Sequence, residues 1–364
     1  MSVKKNKIII AGGGTGGHIY PAISIAEAIL KKDPTAEILF IGTPVGMESR
    51  IVPKAGYQLK LIQSGKLNIK GQPLAKLQTL LKVSFGILQS FWIILTYRPQ
   101  FVLGVGGYAS APMLLAAILC GRKTALWEGN AHPGMANRVL SKFISKAYLV
   151  FNEAKKAMSS KQKNVWGMPL RSEIERICET SSINAHPVFT IICTGGSQGS
   201  QFLNDRLSDL ILQNPQWHNQ IKVFHQTGVL DFNRIKNKYA GLACVEVMDY
   251  IYDMPSYYQQ ADMHFCRGGV GSIIETAAFG VVPVVVPLPA ADNHQQHNAE
   301  AIVHADAGYM LLQKEFDQAQ FKKIVTELMQ NSLLKSKMSK NLKQLVPLKA
   351  SHKIANDILE SIQS

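Results

Sequence analysis

Four short segments carry residue types suited to holding a nucleotide diphosphate and a sugar. The first is Gly12-Gly13-Gly14-Thr15-Gly16-Gly17-His18 and the second Gly104-Val105-Gly106-Gly107-Tyr108. The third is Gly195-Gly196-Ser197-Gln198-Gly199-Ser200, and the fourth Arg267-Gly268-Gly269-Val270-Gly271-Ser272, running on into Ile273-Ile274-Glu275. Glycines let a backbone approach a ligand closely, and a helix that follows presents unpaired N–H groups to an anion. Ser197 is a candidate N-cap at such a helix start. A carboxylate in the first turns of a helix, as Glu275 would be, can accept both hydroxyls of a ribose diol. Asp292, His294, Gln295, Gln296 and Asn298 form a polar group fit to read sugar hydroxyls.

Other readings compete for single segments. Gly12, Gly14 and Gly17 fit the dinucleotide fingerprint, which also wants an acid closing the second strand to hold the ribose. That strand, Glu37–Ile41, ends instead in Gly42-Thr43-Pro44, so the dehydrogenase reading loses its second anchor. An ordinary capped turn explains any one loop. The four together favour a nucleotide diphosphate carrying a sugar.

The elements needed to position these loops are legible as alternating short apolar runs and helical patterns. In the first half, strands are expected at Lys7–Ile10, Glu37–Ile41, Phe101–Gly104, Thr124–Trp127 and Ala147–Phe151, with a helix over Pro21–Lys32. After the polar stretch 173–186 the pattern restarts with Val188–Cys193, Lys222–His225, Met263–Cys266 and Val282–Pro287. Strands separated by helices imply parallel βαβ units. The expected fold is α/β, with two doubly wound Rossmann-like domains and an interdomain cleft. The boundaries expected are 1–164 and 165–344, with the C-terminal helix within 345–364 a candidate to complete the first domain. All four loops then fall at the carboxyl ends of strands, where open α/β sheets bind ligands.

The 364-residue length suits two domains. A net charge of +14 favours polyanionic partners. The lysines show no nucleic-acid module or aromatic stacking platform, so nucleic acid is not an expected partner. The five cysteines (Cys120, Cys178, Cys193, Cys244 and Cys266) are scattered without a CxxC pair and read as small core residues in a reducing compartment. Residues 1–10 lack the apolar region of a secretory signal, so a cytoplasmic location is expected. The apolar stretch 83–97 falls short of the roughly 20 residues that span a bilayer, and no crossing is expected.

As a set, GGGTGGH at 12–18, GVGGYASAP at 104–112, TGGSQGS at 194–200 and CRGGVGSIIE at 266–275 resemble the MurG transferases of peptidoglycan synthesis, from about residue 7 to 310. The resemblance implies the GT-B architecture. It also implies inverting transfer of N-acetylglucosamine from UDP-GlcNAc to the muramyl C4 hydroxyl of lipid I, forming lipid II. The alternative is another UDP-sugar enzyme of the same fold, a UDP-GlcNAc epimerase or a transferase to a different acceptor. By the same resemblance, Thr15, Gly16 and Gly17 line the sugar end of the donor, with His18 at the reaction centre and Tyr108 on the neighbouring loop. Asn130 holds a sugar hydroxyl, while Arg171 and Ser197 contact the nucleotide. Ile251 meets uracil through its backbone, Val270, Gly271 and Ser272 border the donor, Glu275 takes the ribose hydroxyls, and Gln295 and Gln296 read the sugar.

The chain departs from the family in reading Trp127-Glu128-Gly129-Asn130 where members usually show His-Glu-Gln-Asn. It also reads Gly167-Met168-Pro169-Leu170-Arg171 for Gly-Asn-Pro-Val-Arg, and Arg267-Gly268-Gly269-Val270 for Arg-Ser-Gly-Ala.

The acceptor hydroxyl must lose a proton, and His18 and Glu128 both stand as candidate bases. No Asp-x-Asp pair is present to hold a divalent ion, so no metal or cofactor is expected; loop amides and a helix N-terminus would steady the departing UDP. Lys66, Lys70, Lys76 and Lys82 lie among Leu67, Ile69, Leu74, Leu77, Leu80 and Leu81, ahead of Phe85, Phe91 and Trp92. That mixture suits peripheral docking on an anionic membrane surface. The resemblance implies the cytoplasmic face of the inner membrane, with cell-wall synthesis proteins as partners.

Overall fold

The computed structural model describes residues 5–65, 73–180, 188–290 and 292–364, the side chains of 73–76 and 180 apart. The chain forms two compact units. One comprises the residues up to Ser172 together with Pro347–Ser364, the other Glu173–Val346, where the sequence reading divided the chain at 164/165 and 344/345.

The first unit runs β1 (Lys7–Ala11), α1 (Gly16–Lys32), β2 (Glu37–Gly42), α2 (Glu48–Lys54), β3 (Gln58–Leu61), α3 (Pro73–Tyr97), β4 (Phe101–Gly104), α4 (Ser110–Leu119), β5 (Lys123–Glu128), α5 (Met135–Leu140), β6 (Lys146–Leu149) and β7 (Gln162–Val165). Its seven strands pair in the order β3-β2-β1-β4-β5-β6-β7, every pairing parallel. Central strands such as β1 and β4 are buried on both faces, which is why they read as unbroken apolar runs. The order reverses between β1 and β4. The first and second glycine loops leave those two strands, at the crevice that a doubly wound sheet opens.

The second unit repeats the plan. It runs α6 (Ser172–Thr180), β8 (Phe189–Thr194), α7 (Gln201–Leu212), β9 (Ile221–Gln226), α8 (Phe232–Lys238), β10 (Val245–Met248), α9 (Met254–Tyr258), β11 (Met263–Cys266), α10 (Val270–Phe279), β12 (Val282–Val285), α11 (His294–His304), β13 (Tyr309–Met310), α12 (Gln318–Gln330) and α13 (Ser332–Leu345). Its parallel sheet has the order β10-β9-β8-β11-β12-β13. Here the reversal falls between β8 and β11, and the third and fourth glycine loops leave these two strands. Cys193 and Cys266 lie wholly inside, and burial pushes the Cys266 thiol up to about 12.

The last helix, α14 (Ala350–Gln363), returns to the first unit and packs along α1. Asp357 fixes it to the sheet, pairing with Lys146 Nζ at 2.8 Å and accepting from the Tyr148 hydroxyl at 2.6 Å. Helix α1 begins at Gly16, five residues before the Pro21 start expected from sequence. Pro21 lies inside it and lacks the N–H that would bond the Gly17 carbonyl.

Helix α3 is longer than the apolar stretch 83–97 read from sequence: Leu77–Tyr97 has 21 residues, and an 18-residue window within it, of mean hydropathy 1.5, is apolar enough to cross a bilayer by length and composition alone. One face, however, belongs to the core: Ser90, Ile93 and Ile94 are buried, and Gln89 Oε1 accepts from the Gln63 amide at 2.7 Å. The opposite face exposes Leu77, Leu81, Phe85, Leu88, Trp92 and Leu95, with Lys60 Nζ 6.0 Å from the Trp92 ring centre. Lys66, Leu67, Ile69 and Lys70 lie outside the described residues, as do the side chains of Leu74 and Lys76.

Candidate active-site residues of the two units

In the first unit the two glycine loops touch. Gly13 N donates to Gly106 O at 3.2 Å. Gly107, at φ +78°, lies so close that a Cβ there would stand 2.2 Å from Gly13 O. Gly106, at φ +90°, faces His18: an added Cβ would come within 2.7 Å of the imidazole. Only glycine permits this approach. Thr15 N-caps α1 without a side-chain hydrogen bond and is exposed. Tyr108 is also exposed, its carbonyl accepting from Ser64 Oγ at 2.7 Å. Arg171 lies over the Tyr20 ring, 5.4 Å from its centre.

A residue the sequence reading missed holds the first loop in place. Glu48, in the first turn of α2, is buried with its carboxylate beneath the loop. It accepts from Gly14 N at 2.7 Å, from Thr43 N at 2.8 Å and from Thr43 Oγ1 at 3.0 Å. An anion seated here spends the Gly14 amide on itself, so this N–H is not available to a phosphate. One lone acid after a Gly-Thr-Pro turn gives little sequence signal.

Glu128 is 3% exposed. Its Oε1 accepts from Asn130 N at 2.9 Å and Asn130 Nδ2 at 3.1 Å; its Oε2 accepts from Gly134 N at 3.0 Å and Asn137 Nδ2 at 2.9 Å. Four donors fill this carboxylate, so it organises the loop that carries Asn130. That arrangement favours His18 of the two base candidates. Asn137, the other anchor of this loop, was not anticipated.

The departures at 127 and 129 explain one another. Trp127 is fully buried and meets His18 edge to face, 6.3 Å between ring centres at 88°. A Cβ at position 129 would fall 2.7 Å from Trp127 Cη2. The large indole therefore requires the missing side chain two residues on.

In the second unit, loop 195–200 is pinned by the end of β9: Gln226 Nε2 donates to Gly196 O at 3.0 Å. Ser197 is exposed and does not cap α7, contrary to the sequence reading. The cap is Ser200, whose Oγ accepts from Leu203 N at 3.5 Å. The same oxygen accepts from Arg267 Nη2 at 2.7 Å, while Arg267 Nη1 reaches Gln313 Oε1 at 2.7 Å. Burial holds the Arg267 pKa below its ordinary value. A largely buried guanidinium thus reinforces the positive end of α7, where an anion would sit.

The fourth loop leads into α10. Val270, Gly271 and Ser272 form its first turn, and Glu275 is half-buried between inward-facing Ile274 and Thr276. Gln295 Oε1 accepts from Gly268 N at 3.0 Å and Leu288 N at 2.9 Å, which makes Gln295 a brace for this loop. Gln296 Nε2 donates to Glu300 Oε1 at 2.9 Å. Ile251 is buried in a small cluster with Ile192, Phe224, Tyr258 and Val281.

Two parallel α/β units, each with paired glycine loops at its sheet's reversal point, are the architecture of the GT-B class, to which many glycosyltransferases belong. Residues 8–149 match the glycosyltransferase family 28 N-terminal domain and residues 190–357 the family 28 C-terminal domain. A protein of Bdellovibrio bacteriovorus, the UDP-N-acetylglucosamine–N-acetylmuramyl-(pentapeptide) pyrophosphoryl-undecaprenol N-acetylglucosamine transferase, is 48% identical over 361 residues, covering 99% of this chain and 100% of its own. The protein of the same description from Trichlorobacter lovleyi is 36% identical, with 98% of each chain covered. Among solved structures, Acinetobacter baumannii MurG superposes with a TM-score of 0.79 at 25% identity, covering 98% of this chain and 99% of that one. A Neisseria meningitidis UDP-GlcNAc 2-epimerase, at 0.67 and 14% identity with 98% and 99% covered, shares the fold. The chain belongs to the MurG family of glycosyltransferases.

Proposed function

We propose that this chain transfers N-acetylglucosamine from UDP-GlcNAc to the muramyl C4 hydroxyl of undecaprenyl-diphospho-muramoylpentapeptide, with inversion at the anomeric carbon. The observation that carries the reading is the end-to-end match to transferases of that description, at 48% identity over 361 residues. The site geometry supports the chemistry. His18 takes the acceptor proton, held against the Gly106 backbone and the Trp127 edge. The amides of loop 195–200, backed by Ser200 and Arg267, steady the departing diphosphate. Glu275 accepts the ribose hydroxyls; Ile251 meets uracil; Val270, Gly271 and Ser272 border the donor. Asn130, Gln296, Thr15, Gly16 and Gly17 attend the sugar, with Gln295 setting the loop beside it. Arg171 and Ser197 contact the nucleotide, and Tyr108 flanks the acceptor.

The enzyme works at the cytoplasmic face of the inner membrane as a peripheral protein. Helix α3 supports this part of the reading: its core-packed face argues for lying on the bilayer, and its exposed row of Phe85, Leu88, Trp92 and Leu95 supplies the apolar contact. Labelled UDP-GlcNAc and a lipid I analogue test the reaction. The expected product is the disaccharide lipid, lost in His18→Ala and Glu275→Ala. Interconversion of the UDP-sugar with no lipid product would refute the transfer. Flotation with anionic liposomes, weakened by Trp92→Glu, tests the docking, and absence of binding to any vesicle would refute it.

A further inference from the structure

The middle of β11 contains a histidine that nothing in the proposed chemistry uses. His264 has no solvent exposure and lies on the sheet face that α10 covers. Burying an imidazole there costs free energy unless both nitrogens are satisfied, and an aliphatic residue would pack without that demand. Its Nε2 lies 2.9 Å from Thr194 Oγ1 and its Nδ1 2.6 Å from Thr276 Oγ1.

The proton positions follow from the chain of contacts. Thr276 Oγ1 donates to Ser272 O at 2.5 Å, so towards His264 it must accept. Nδ1 therefore carries the hydrogen, and Nε2 accepts from the Thr194 hydroxyl. The ring is neutral in this arrangement, with one donor and one acceptor both used.

Thr194 ends β8 and Thr276 lies in the second turn of α10, each beside candidate donor residues. Thr194 hands the chain to Gly195-Gly196-Ser197. Thr276 follows Glu275 directly, and Ser272 lies in the first turn of α10. One ring thus spans from the root of the diphosphate loop to the turn that precedes the ribose-binding carboxylate. We propose that His264 is a positioning residue for donor binding, fixing loop 195–200 and the Ser272–Glu275 turn of α10 at one separation through Thr194 and Thr276. The inference rests on the donor assignment above.

The test compares the full chain with His264→Leu, His264→Asn and Thr276→Val, measuring UDP-GlcNAc binding by calorimetry, the KM of each substrate, and Tm. His264→Leu is expected to raise the donor Kd and KM about tenfold, the scale of one buried neutral hydrogen bond, with acceptor KM unchanged. Thr276→Val should do the same. His264→Asn, which keeps a donor at the Nδ1 position, should recover most of the loss. Donor affinity unchanged in His264→Leu and Thr276→Val overturns the assignment, as does a loss that follows Tm and is equal for both substrates. Should His264→Leu not fold, Thr276→Val and His264→Asn give the same comparison. Failure of the unsubstituted chain to bind UDP-GlcNAc overturns the donor reading itself, and the inference with it.

Discussion

Gly129→Gln restores the residue usual in the family and should damage this protein. The new Cβ would stand 2.7 Å from Trp127 Cη2 and 3.3 Å from Cζ3, and the indole, with no solvent exposure, has no free space to enter. Overpacking of this kind costs about 1–3 kcal/mol. Trp127→His alone replaces most of a buried indole with a smaller ring and should cost ~2–4 kcal/mol through the cavity it leaves. The two changes relieve each other, since the smaller ring opens room for the new side chain. Combined, they should fall short of the summed costs by about 1–2 kcal/mol, the coupling of residues in contact. Urea unfolding of the four proteins completes the cycle. Displacement of Trp127 also reaches His18, whose ring centre lies 6.3 Å away, so kcat should fall in Gly129→Gln and partly return in the double variant. Additivity within ~0.5 kcal/mol, or an undisturbed Gly129→Gln, would refute the claim that the indole dictates the glycine.

Glu48→Ala should cost about 3 kcal/mol, because it strands two amides and a hydroxyl in a buried place, and kcat should drop as the loop bearing His18 relaxes; urea melts and initial rates check this. Glu128→Gln turns one acceptor atom into a donor facing donors, and should lower Tm together with activity. A kcat loss of about a hundredfold or more at unchanged Tm would instead mark Glu128 as the base. His225 and His264 are held by burial at about 3, against 6.5 when exposed. The unfolded chain therefore takes up protons first, so stability present above pH 6.5 is lost as pH falls towards 3. Each ring contributes a slope of about 1.4 kcal/mol per pH unit, and urea titrations between pH about 7 and about 5 should show it, with His264→Asn removing close to half. Asp357→Ala takes the acceptor from the buried Tyr148 hydroxyl and leaves Lys146 with Ser361 Oγ but no counter-charge, and should cost ~2 kcal/mol, read by calorimetry as an earlier transition of the first unit alone.

The central strands were legible because a parallel sheet covered on both faces leaves an unbroken apolar signature, as in residues 8–11 of β1 and in Val282–Val285. The strands that went unread are Gln58–Leu61, Gln162–Val165, Val245–Met248 and Tyr309–Met310, which form the outer edges of the two sheets. Short and partly polar, they lack an apolar run, and the alternation in Gln58–Leu61 lasts only four residues, too few to stand out from a loop. The glycine loops were visible because their composition is rare, and they emerge at the reversal points of both sheets. What holds the loops was not visible. Glu48, Asn137 and Ser200 act through contacts set by folding, in Glu48's case across 34 residues to Gly14, and nothing in local spacing announces them. The Ser197 cap was misassigned because the chain makes one further turn, Gly199 N to Gly196 O, before the helix opens.

Helix α14 gives the first unit a peculiarity of timing. The ribosome delivers its seven strands early, yet the element that covers α1 and seats Asp357 against Lys146 and Tyr148 emerges only after the whole second unit. Domains tend to mature in order of synthesis; here the later one can close first, while the earlier waits with an apolar groove along α1. During that interval the nascent chain offers chaperones a surface that the finished enzyme no longer has, and a tag or truncation at the carboxyl end perturbs the domain that began the chain.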